Sequence, residues 1–402
     1  MTLDTPPSEE FIKEVIFKIF QNKKNVSYKI EPGSNVGDGF LGITASITVN
    51  FEDEIKHIFM KMASKNNLMR EHVFQRDLFQ RESYFYSKVL FIMKNLYEDC
   101  FKKEFLLPNC YYTSNEDIKE CIVLENLSQR NYNLIKSKCF DKNQLLTVLH
   151  TYSQLHACGF MIKLKNSDEF EDFSKKFERN YFKKHFDKFG LSKVTMKSLD
   201  ILKKSLNLHQ DEILLNKFDE IKKLVIQAVN GLLVQENYST IIHQDCWRNN
   251  IMFKYDDNKI LQDIKLIDFQ MWCVNTPIFD VAALIYTNTA SKEILDDLNY
   301  YLTFYYNSLS DSILKMGGDP LVLYPKEIFN QQWKKHNFYG LWIAIVVVRG
   351  LLAPVEMLPN LVEYVKNNIP LENSFMFDLP DENEYCDRLK LLLHHFIENK
   401  YV

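Results

Sequence analysis

The residues best suited to chemistry lie in two short segments, His243 to Asn250 and Leu266 to Gln270. The first segment contains Asp245 and Asn250, and the second contains Asp268. A loop carboxylate can accept a proton from a hydroxyl group, whereas a second carboxylate and an amide oxygen are hard ligands that suit Mg²⁺. Phosphoryl transfer needs this combination, because positioning and charge neutralisation supply most of the catalysis. The pattern predicts Asp245 as the catalytic base, with Asn250 and Asp268 as ligands of ATP-bound Mg²⁺.

Other interpretations of these segments remain possible. Any single Asp or Asn could be an ordinary turn residue, because both types are common in loops. The joint pattern, a histidine before the first Asp and aliphatic residues before the second, favours the kinase site. His243 could be a general base, but we expect it to brace the loop. We expect Asp280 to tie the same loop down and Cys246 to pack in the core.

Four of the eleven glycines fall in one short stretch: Gly33, Gly37, Gly39 and Gly42. Three of them form the pattern Gly-x-Gly-x-x-Gly, which also occurs in dinucleotide-binding folds. Those folds need a helix directly after the glycines, whereas a β-branched run follows here, Ile43 to Val49. The stretch therefore predicts a hairpin over the phosphates, with Gly37 and Gly39 contacting the nucleotide. An ordinary hairpin turn is the alternative.

Lys61 ends a short apolar run and is predicted to contact the α- and β-phosphates of ATP. Glu82 lies on the apolar stripe of the helical segment that begins near Asn67. Because a buried carboxylate is rarely left unpaired, we predict an ion pair between Lys61 and Glu82. Glu71, nearer the solvated edge of the same segment, is the alternative partner.

The predicted elements follow the order of a two-lobed kinase. The first third of the chain contains short strands at Val26 to Glu31, Ile43 to Asn50, His57 to Met62 and Cys121 to Leu124. One helical segment, Asn67 to Tyr97, interrupts them. Backbone groups at Glu125 and Leu127, where the lobes should join, are predicted to contact the adenine edge.

The rest of the chain is predicted to be mostly helical, with one embedded hairpin. Its strands are Ile251 to Tyr255 and Ile264 to Ile267. We therefore predict an α+β, bilobal protein-kinase-like fold. Residues 1–127 would form a small antiparallel, β-rich lobe that binds the nucleotide, and residues 128–402 a larger helical lobe for catalysis and substrate binding.

The composition is that of an ordinary folded chain: of 402 residues, 46% are hydrophobic and 25% are charged, with a net charge of −4. This charge gives no reason to expect nucleic-acid binding. The cysteines form no Cys-x-x-Cys pair, which predicts a reduced, cytoplasmic protein, and the acidic N-terminus is unlike a secretory signal.

The apolar run Leu341 to Val348 is too short to span a membrane and is expected to be core. The Lys-rich aromatic stripe that begins at Phe170 is expected to be an amphipathic helix.

The sequence resembles the ecdysteroid kinase-like family, within the choline kinase and aminoglycoside phosphotransferase superfamily. The resemblance is carried by Phe59-Met-Lys61, Arg81-Glu-x-x-Phe-Tyr86, Val123-Leu-Glu-Asn-Leu127, His243-x-Asp-Cys-Trp-x-x-Asn-Ile-Met-Phe-Lys-Tyr255 and Leu266-Ile-Asp-Phe-Gln270. It implies transfer of a phosphate from ATP, with Mg²⁺, to a hydroxyl group of a small molecule such as a steroid or a xenobiotic conjugate. One position departs from the family: Gln244 stands where Gly is usual, which could narrow the acceptor site or slow turnover.

Several alternatives stay open. Trp247 and the short interval from Asp268 to Asp280 argue against a protein kinase, which has a Lys at the first position and a longer activation segment. A catalytically inactive kinase-fold protein that binds a lipophilic ligand is disfavoured by the intact motif residues. A choline- or sugar-type kinase is the third alternative. The many aromatic residues suit either a bulky apolar acceptor or simply a core.

Overall fold

The structure is a computed structural model that describes residues 8–33, 42–52, 54–72, 74–177, 189–234, 236–358 and 361–402. Its N-terminal part contains a five-stranded antiparallel sheet. The strands are β1 (Ser27–Pro32), β2 (Ile43–Asn50), β3 (Ile55–Met62), β4 (Cys110–Ser114) and β5 (Cys121–Glu125). Their order across the sheet is β1-β2-β3-β5-β4.

The two faces of this sheet pack against different parts of the chain. Helix α1 (Glu9–Ile19) packs on one face, where alternate residues of β2 and β3 are buried, including Ile47, Ile58, Met60 and Met62. Because side chains alternate along a strand, Lys61 points to the opposite face. The apolar pattern of β3 therefore directs this lysine away from the α1 core and towards the helical part of the chain.

The segment predicted as one helix from Asn67 to Tyr97 is divided in the structure, so this prediction was wrong in detail. It forms α2 (Asn67–His72), α3 (Gln75–Tyr84), a π-helical turn (Phe85–Val89) and α4 (Leu90–Phe101). Phe74, between α2 and α3, has a left-handed backbone with φ of 54°, which an α-helix cannot contain. The break separates α2 from the helix that carries Glu82.

The C-terminal part is mainly helical, as predicted. Helix α9 (Ile278–Asn288) is buried along its whole length. Gly340 of helix α14 (Phe338–Leu352) lets these two helices meet closely, since a Cβ there would lie 2.4 Å from the backbone of Ala282. The helices are α5 (Lys142–Lys165), α6 (Ser167–Lys176), α7 (Leu191–Ser205), α8 (Glu212–Ala228), α9 (Ile278–Asn288), α10 (Lys292–Asp296), α11 (Leu298–Lys315), α12 (Pro320–Leu323), α13 (Lys326–His336), α14 (Phe338–Leu352), α15 (Leu361–Lys366) and α16 (Glu382–Glu398).

Short strands within this helical part hold the two motif segments next to each other. The hairpin is confirmed, as β8 (Ile251–Tyr255) and β9 (Leu261–Leu266), although β9 begins earlier than predicted and ends before Ile267. Two further strands, β7 (Thr240–Ile242) and β10 (Cys273–Asn275), pair with each other. A short β6 (Tyr132–Asn133) extends the hairpin. Asp245 follows β7 and Asp268 follows β9, so paired strands fix both.

The chain has the predicted α+β, bilobal protein-kinase-like fold, with a small antiparallel sheet beside a larger helical lobe. A division at residue 127 stays a prediction. Among the helices of the described ranges, none combines the length and hydropathy that a membrane crossing requires. The eight cysteines, all of which the structure describes, form no disulfide.

Candidate active site

A cleft of about 1080 Å³ lies between the five-stranded sheet and the helical lobe. Gly33, at the end of β1, lines its sheet side. Gly37 and Gly39, which were predicted to contact the nucleotide, lie outside the described residues. The other predicted site residues all line this one cleft: Lys61, Glu82, Glu125, Leu127, Asp245, Asn250 and Asp268.

Lys61 bridges two carboxylates from different parts of the chain. Its Nζ lies 2.7 Å from Oε2 of Glu82 and 2.8 Å from Oδ1 of Asp268. Burial alone would lower the pKa of Lys61, but the charges of Asp268 and Glu82 outweigh burial and hold this pKa above its ordinary value. Burial raises the pKa of Glu82, and the Lys61 cation opposes that shift. Glu71, the alternative partner, is exposed to solvent.

Asp245 and Asn250 form a hydrogen-bonded pair on the loop after β7. Nδ2 of Asn250 donates to Oδ2 of Asp245 at 2.7 Å and to the Asp245 backbone carbonyl at 3.0 Å. Burial, and next the negative charge of Asp268, raise the pKa of Asp245 to about 7 against the hydrogen bond from Asn250. A carboxylate with a near-neutral pKa is well matched to proton acceptance. The side-chain oxygen Oδ1 of Asn250 is the atom suited to a cation, because the side-chain nitrogen Nδ2 already donates to Asp245.

His243 braces this loop and is not placed to act as a base. Its Nε2 donates to the Ile267 carbonyl at 2.9 Å, and its Nδ1 accepts from the backbone N–H of Asp245 at 3.2 Å. These partners require a neutral imidazole with the proton on Nε2. Burial lowers the pKa of His243, which agrees with a neutral ring. The ring therefore ties the Asp245 loop to the residue before Asp268, as expected.

Asp280 holds the same loop from the first turn of α9. Its Oδ2 accepts from the His243 backbone N–H at 2.7 Å, and its Oδ1 accepts from the Gln244 N–H at 2.8 Å. Nε2 of His156 lies 3.1 Å from Oδ2 of Asp280. Burial would raise the pKa of Asp280, but the bond from His156 and the other donors outweigh it, so this pKa is lowered. Asp280 is thus a buried anion that fixes the loop.

Gln244 occupies a backbone conformation that favours glycine. Its φ is 64°, in the left-handed region. Its N–H is tethered to Asp280, and its side-chain Oε1 accepts from Sγ of Cys273 at 3.1 Å. A left-handed conformation costs a non-glycine residue roughly 1–2 kcal/mol. The geometry therefore gives a physical reason for the glycine that is usual at this position, and it places a longer side chain in the cleft beside Asp245.

The Gln244→Gly variant is expected to be more stable than the native chain by about 0.5–1 kcal/mol. The relief of roughly 1–2 kcal/mol of backbone strain exceeds the extra unfolded-state entropy of glycine, which is about 0.4–1 kcal/mol. Equilibrium urea unfolding measures this difference. The Gln244→Ala control removes the side chain but keeps the strained backbone, so it should gain nothing. A glycine variant less stable than the alanine variant would contradict this account of the loop.

Asn250 and Asp268 together fit a magnesium ion that arrives with a nucleotide. The backbone N–H of Ile267 donates to the backbone carbonyl of Asn250 at 3.0 Å, and this bond keeps the two loops side by side. They offer one amide oxygen and one carboxylate, and nucleotide-bound Mg²⁺ takes its other ligands from phosphates and water. No group of three or more His, Cys, Asp or Glu side chains forms a metal cage in the part of the chain that the structure describes. One amide oxygen and one carboxylate are a donor set that suits an ion carrying phosphate ligands of its own.

Glu125 and Leu127 sit where β5 leaves the sheet. The Glu125 side chain is engaged by the protein itself, with Nη1 of Arg130 at 2.6 Å and Nδ2 of Asn109 at 3.0 Å. Leu127 is buried and lines the cleft. A contact between this connector and a nucleotide base would therefore involve backbone groups, as the sequence suggested.

The cleft also has an apolar wall that sequence analysis missed. The run Leu341 to Val348 was interpreted as core, and most of it is buried. One stripe of α14 nevertheless faces the cleft at helical spacing: Ile343, Val346, Val347 and Gly350. Trp342 of the same helix and three aromatic residues from other segments face the same space: Phe189, Phe375 and Phe377. A helix in the core and a helix that lines a cavity have the same spacing of apolar residues, so only the three-dimensional structure distinguishes the two.

Two solved structures align with nearly the whole of this chain, each at low sequence identity. The Plasmodium vivax ethanolamine kinase is 11% identical, with a TM-score of 0.41 and coverage of 100% of this chain and 93% of that chain. The spectinomycin phosphotransferase APH(9)-Ia, solved with ADP and spectinomycin, is 9% identical, with a TM-score of 0.35 and coverage of 94% and 98%. No curated protein matches the sequence. The profile of the ecdysteroid kinase-like family matches residues 36–318, well over half of the chain. The chain belongs to the ecdysteroid kinase-like family.

Proposed function

We propose that this chain is an ATP-dependent kinase that transfers the γ-phosphate to a hydroxyl group of a bulky apolar alcohol, either steroid-like or a xenobiotic conjugate. The observation that carries the proposal is the composition of one cleft. The cleft is lined both by the charged and polar group of Lys61, Asp245, Asn250 and Asp268 and by the apolar stripe of α14. A phosphate donor and an apolar alcohol could therefore meet at Asp245.

The nucleotide is assigned to the sheet side of the cleft, in the lobe that ends near residue 127. Lys61, held cationic by two carboxylates, contacts the α- and β-phosphates. Backbone groups of Glu125 and Leu127 are assigned to the base, and a contact of Gly37 and Gly39 with the nucleotide stays a prediction from the sequence. Asn250 and Asp268 would hold Mg²⁺, which when bound neutralises charge on the phosphates.

Asp245 is assigned as the base that receives the acceptor proton. As the hydroxyl oxygen forms its bond to the γ-phosphorus, the bond from that phosphorus to the ADP oxygen breaks. The hydroxyl proton passes to the Asp245 carboxylate and afterwards to solvent. His243 and Asp280 keep the carboxylate in place through the backbone of its loop. The products are ADP and a phosphate monoester.

An apolar acceptor is favoured over a cationic one by the charges that line the cleft. A choline-like cation would call for a carboxylate and an aromatic cage. Within the described residues, the lining carboxylates are Glu82, Glu125, Asp245 and Asp268. Glu82 and Glu125 are paired with Lys61 and Arg130, and the other two belong to the proposed catalytic group. The α14 wall adds apolar surface and no compensating charge.

The Gly350→Leu variant is expected to weaken acceptor binding without affecting the nucleotide. Gly350 lines the cleft, and apart from its chain neighbours and its own helix backbone, no described atom lies within 4 Å of a Cβ placed on it, so the new side chain would grow into the cavity. Overpacking of an apolar space costs about 1–3 kcal/mol. The KM for a steroid alcohol should therefore rise about tenfold to a hundredfold, while the Kd for Mg·ADP stays unchanged.

The Gly350→Ala variant is the matched control for this experiment. It gains helix propensity as the leucine does, by up to about 1 kcal/mol relative to glycine, but it fills little of the cavity. Its KM for the same alcohol should stay within about twofold of the native value. An equal KM in all three proteins would show that the acceptor does not lie along α14.

The proposal as a whole is tested by measuring Mg²⁺-dependent ADP release with steroid alcohols, choline, ethanolamine and sugars. The proposal predicts turnover with at least one steroid alcohol and background release with choline. Saturable binding of a steroid alcohol with no ADP release under any condition would support the inactive binding protein instead. Turnover confined to choline or sugars would overturn the apolar acceptor.

A further inference from the structure

We propose that Arg81 and Trp272 are positioning residues that clamp the Glu82 helix onto the segment after Asp268. This inference rests on the proposed function for its kinetic consequences, but the clamp itself is a structural feature. Nε1 of Trp272 donates to the backbone carbonyl of Arg81 at 2.9 Å. Nη1 of Arg81 donates in return to the backbone carbonyl of Trp272 at 3.2 Å.

These two hydrogen bonds lie in the protein interior. Arg81 is 4% exposed and Trp272 is 1% exposed. Breaking a buried hydrogen bond leaves a polar group without a partner, which costs about 1–3 kcal/mol for each group. A movement of α3 away from the helical lobe would break both bonds at once. The pair therefore resists rotation or withdrawal of this helix.

Aromatic contacts extend the clamp along α3 and into the π-helical turn. The rings of Phe85 and Phe269 stack with centroids 4.1 Å apart. The ring of Tyr84 lies parallel to that of Trp272, with centroids 6.2 Å apart. Such pairs contribute about 0.5–1.5 kcal/mol beyond the area they bury. Residues on both sides of Glu82 are thus fixed to residues that follow Asp268.

Phe173 of helix α6 and Phe177, the residue after this helix, also pack against the clamp. Phe173 and Phe177 present their edges to the Trp272 ring, at centroid distances of 6.5 Å and 5.9 Å. The Arg81 guanidinium lies over the Phe177 ring, 4.7 Å from its centroid. These residues belong to the Lys-rich aromatic stripe of the sequence, whose packing the proposed function leaves unexplained. Tyr181 and Phe186 of that stripe lie outside the described residues.

The clamp joins the two carboxylates that flank Lys61. Glu82 directly follows Arg81 on α3, and Trp272 ends the short turn that begins after Asp268. Fixing Arg81 to Trp272 therefore fixes the separation of Glu82 and Asp268, and with it the position of Nζ of Lys61. Neither Arg81 nor Trp272 lines the cleft, so an effect on phosphate transfer must pass through these neighbours.

The Trp272→Phe variant tests the clamp, because it keeps an aromatic ring and removes the donating N–H. The matched control is Trp333→Phe, which removes the Nε1 bond to the Tyr401 hydroxyl, 2.9 Å long and remote from the cleft. Hydrogen exchange of residues 75–84 should become about tenfold faster in Trp272→Phe and stay unchanged in Trp333→Phe. Equal exchange of this helix in the native protein and Trp272→Phe would overturn the clamp, whether or not the protein is a kinase.

A double-mutant cycle with Glu82 tests whether the clamp acts on catalysis through the ion pair. In the native background, Trp272→Phe should lower kcat about fivefold to tenfold, in line with the loss of one hydrogen bond. In a Glu82→Gln background the same change should have less than a twofold effect. An equal fold-loss in both backgrounds would refute the positioning role. Arg81→Lys keeps the positive charge but removes the planar guanidinium group. Combined with Glu82→Gln, it gives a second and independent double-mutant cycle.

Discussion

Replacing Asp245 by Asn is expected to lower turnover by about 10²-fold to 10⁴-fold, the range that a general base supplies. The amide cannot take the hydroxyl proton, although it has the shape of the carboxylate and can keep the contact with Asn250. Single-turnover measurement of phosphate ester formation gives the loss in the chemical step. A loss below threefold would remove Asp245 from its assigned role.

The same variant should be more stable than the native chain at high pH. The pKa of Asp245 is about 7 in the folded protein, above the value of about 3.9 for an unfolded chain. The stability that this group contributes is therefore present below pH 4 and is lost as the pH rises through 7. At pH 8 the ionised Asp245 faces Asp268, and Asp245→Asn removes that repulsion. Thermal unfolding should show a higher Tm for Asp245→Asn at pH 8 and no difference near pH 4.

The pH profile of the native enzyme follows from the same pKa. Asp245 must be ionised to accept a proton, so kcat/KM should fall below pH 7, about tenfold for each further pH unit. Cations in the bound complex would lower this pKa, so the fall in kcat should begin at a lower pH than the fall in kcat/KM. Identical profiles for the native protein and Asp245→Asn would contradict the assignment.

Replacing Asp268 by Asn is expected to lower activity on the order of 10³-fold and to raise the Mg²⁺ concentration needed for half-maximal activity. A carboxylate that holds the metal supports several kcal/mol of transition-state charge stabilisation. The substitution also removes one of the two anions beside Lys61, whose Nζ then keeps only Glu82. The measurement is a Mg²⁺ titration of initial rates at saturating ATP.

Asp263→Asn is the matched control for Asp268→Asn. Asp263 lies in β9, on the strand that leads to Asp268, and its carboxylate accepts a hydrogen bond from Tyr132. It does not line the cleft. The control should keep its Mg²⁺ dependence and most of its rate. Asp268→Asn with an unchanged Mg²⁺ requirement would show that the metal is bound elsewhere.

The polar residues that line the cleft could be predicted from the sequence, whereas their catalytic roles stay predictions. Asn250 directly precedes the first strand of the predicted hairpin, and Asp268 lies two residues after the second, so this hairpin sets their spacing. The contact between Lys61 and Glu82 was predicted because a carboxylate on a buried stripe needs a cation, and the structure places the two 2.7 Å apart. In both cases the decisive signal was local in the chain.

Features that depend on contacts distant in sequence could not be found in this way. The positive φ of Gln244 is tied to the N–H that Asp280 holds from α9, and no neighbouring residue signals it. Phe74 breaks the predicted helix without a proline or glycine to mark the place. The cavity face of α14 has the same apolar period as a core helix. The Trp272 indole meets Arg81 only because the chain folds back on itself.

The proposed function depends on one cleft bringing the γ-phosphate of ATP to an alcohol activated by Asp245. It is tested most directly by incubating the protein with a steroid alcohol and ATP labelled in the γ-phosphate, with Mg²⁺, and analysing the alcohol by mass spectrometry. A phosphate monoester that carries the label is expected with the native protein and should be absent with Asp245→Asn. Label that never appears on the alcohol, or that appears equally with native protein and Asp245→Asn, would contradict it.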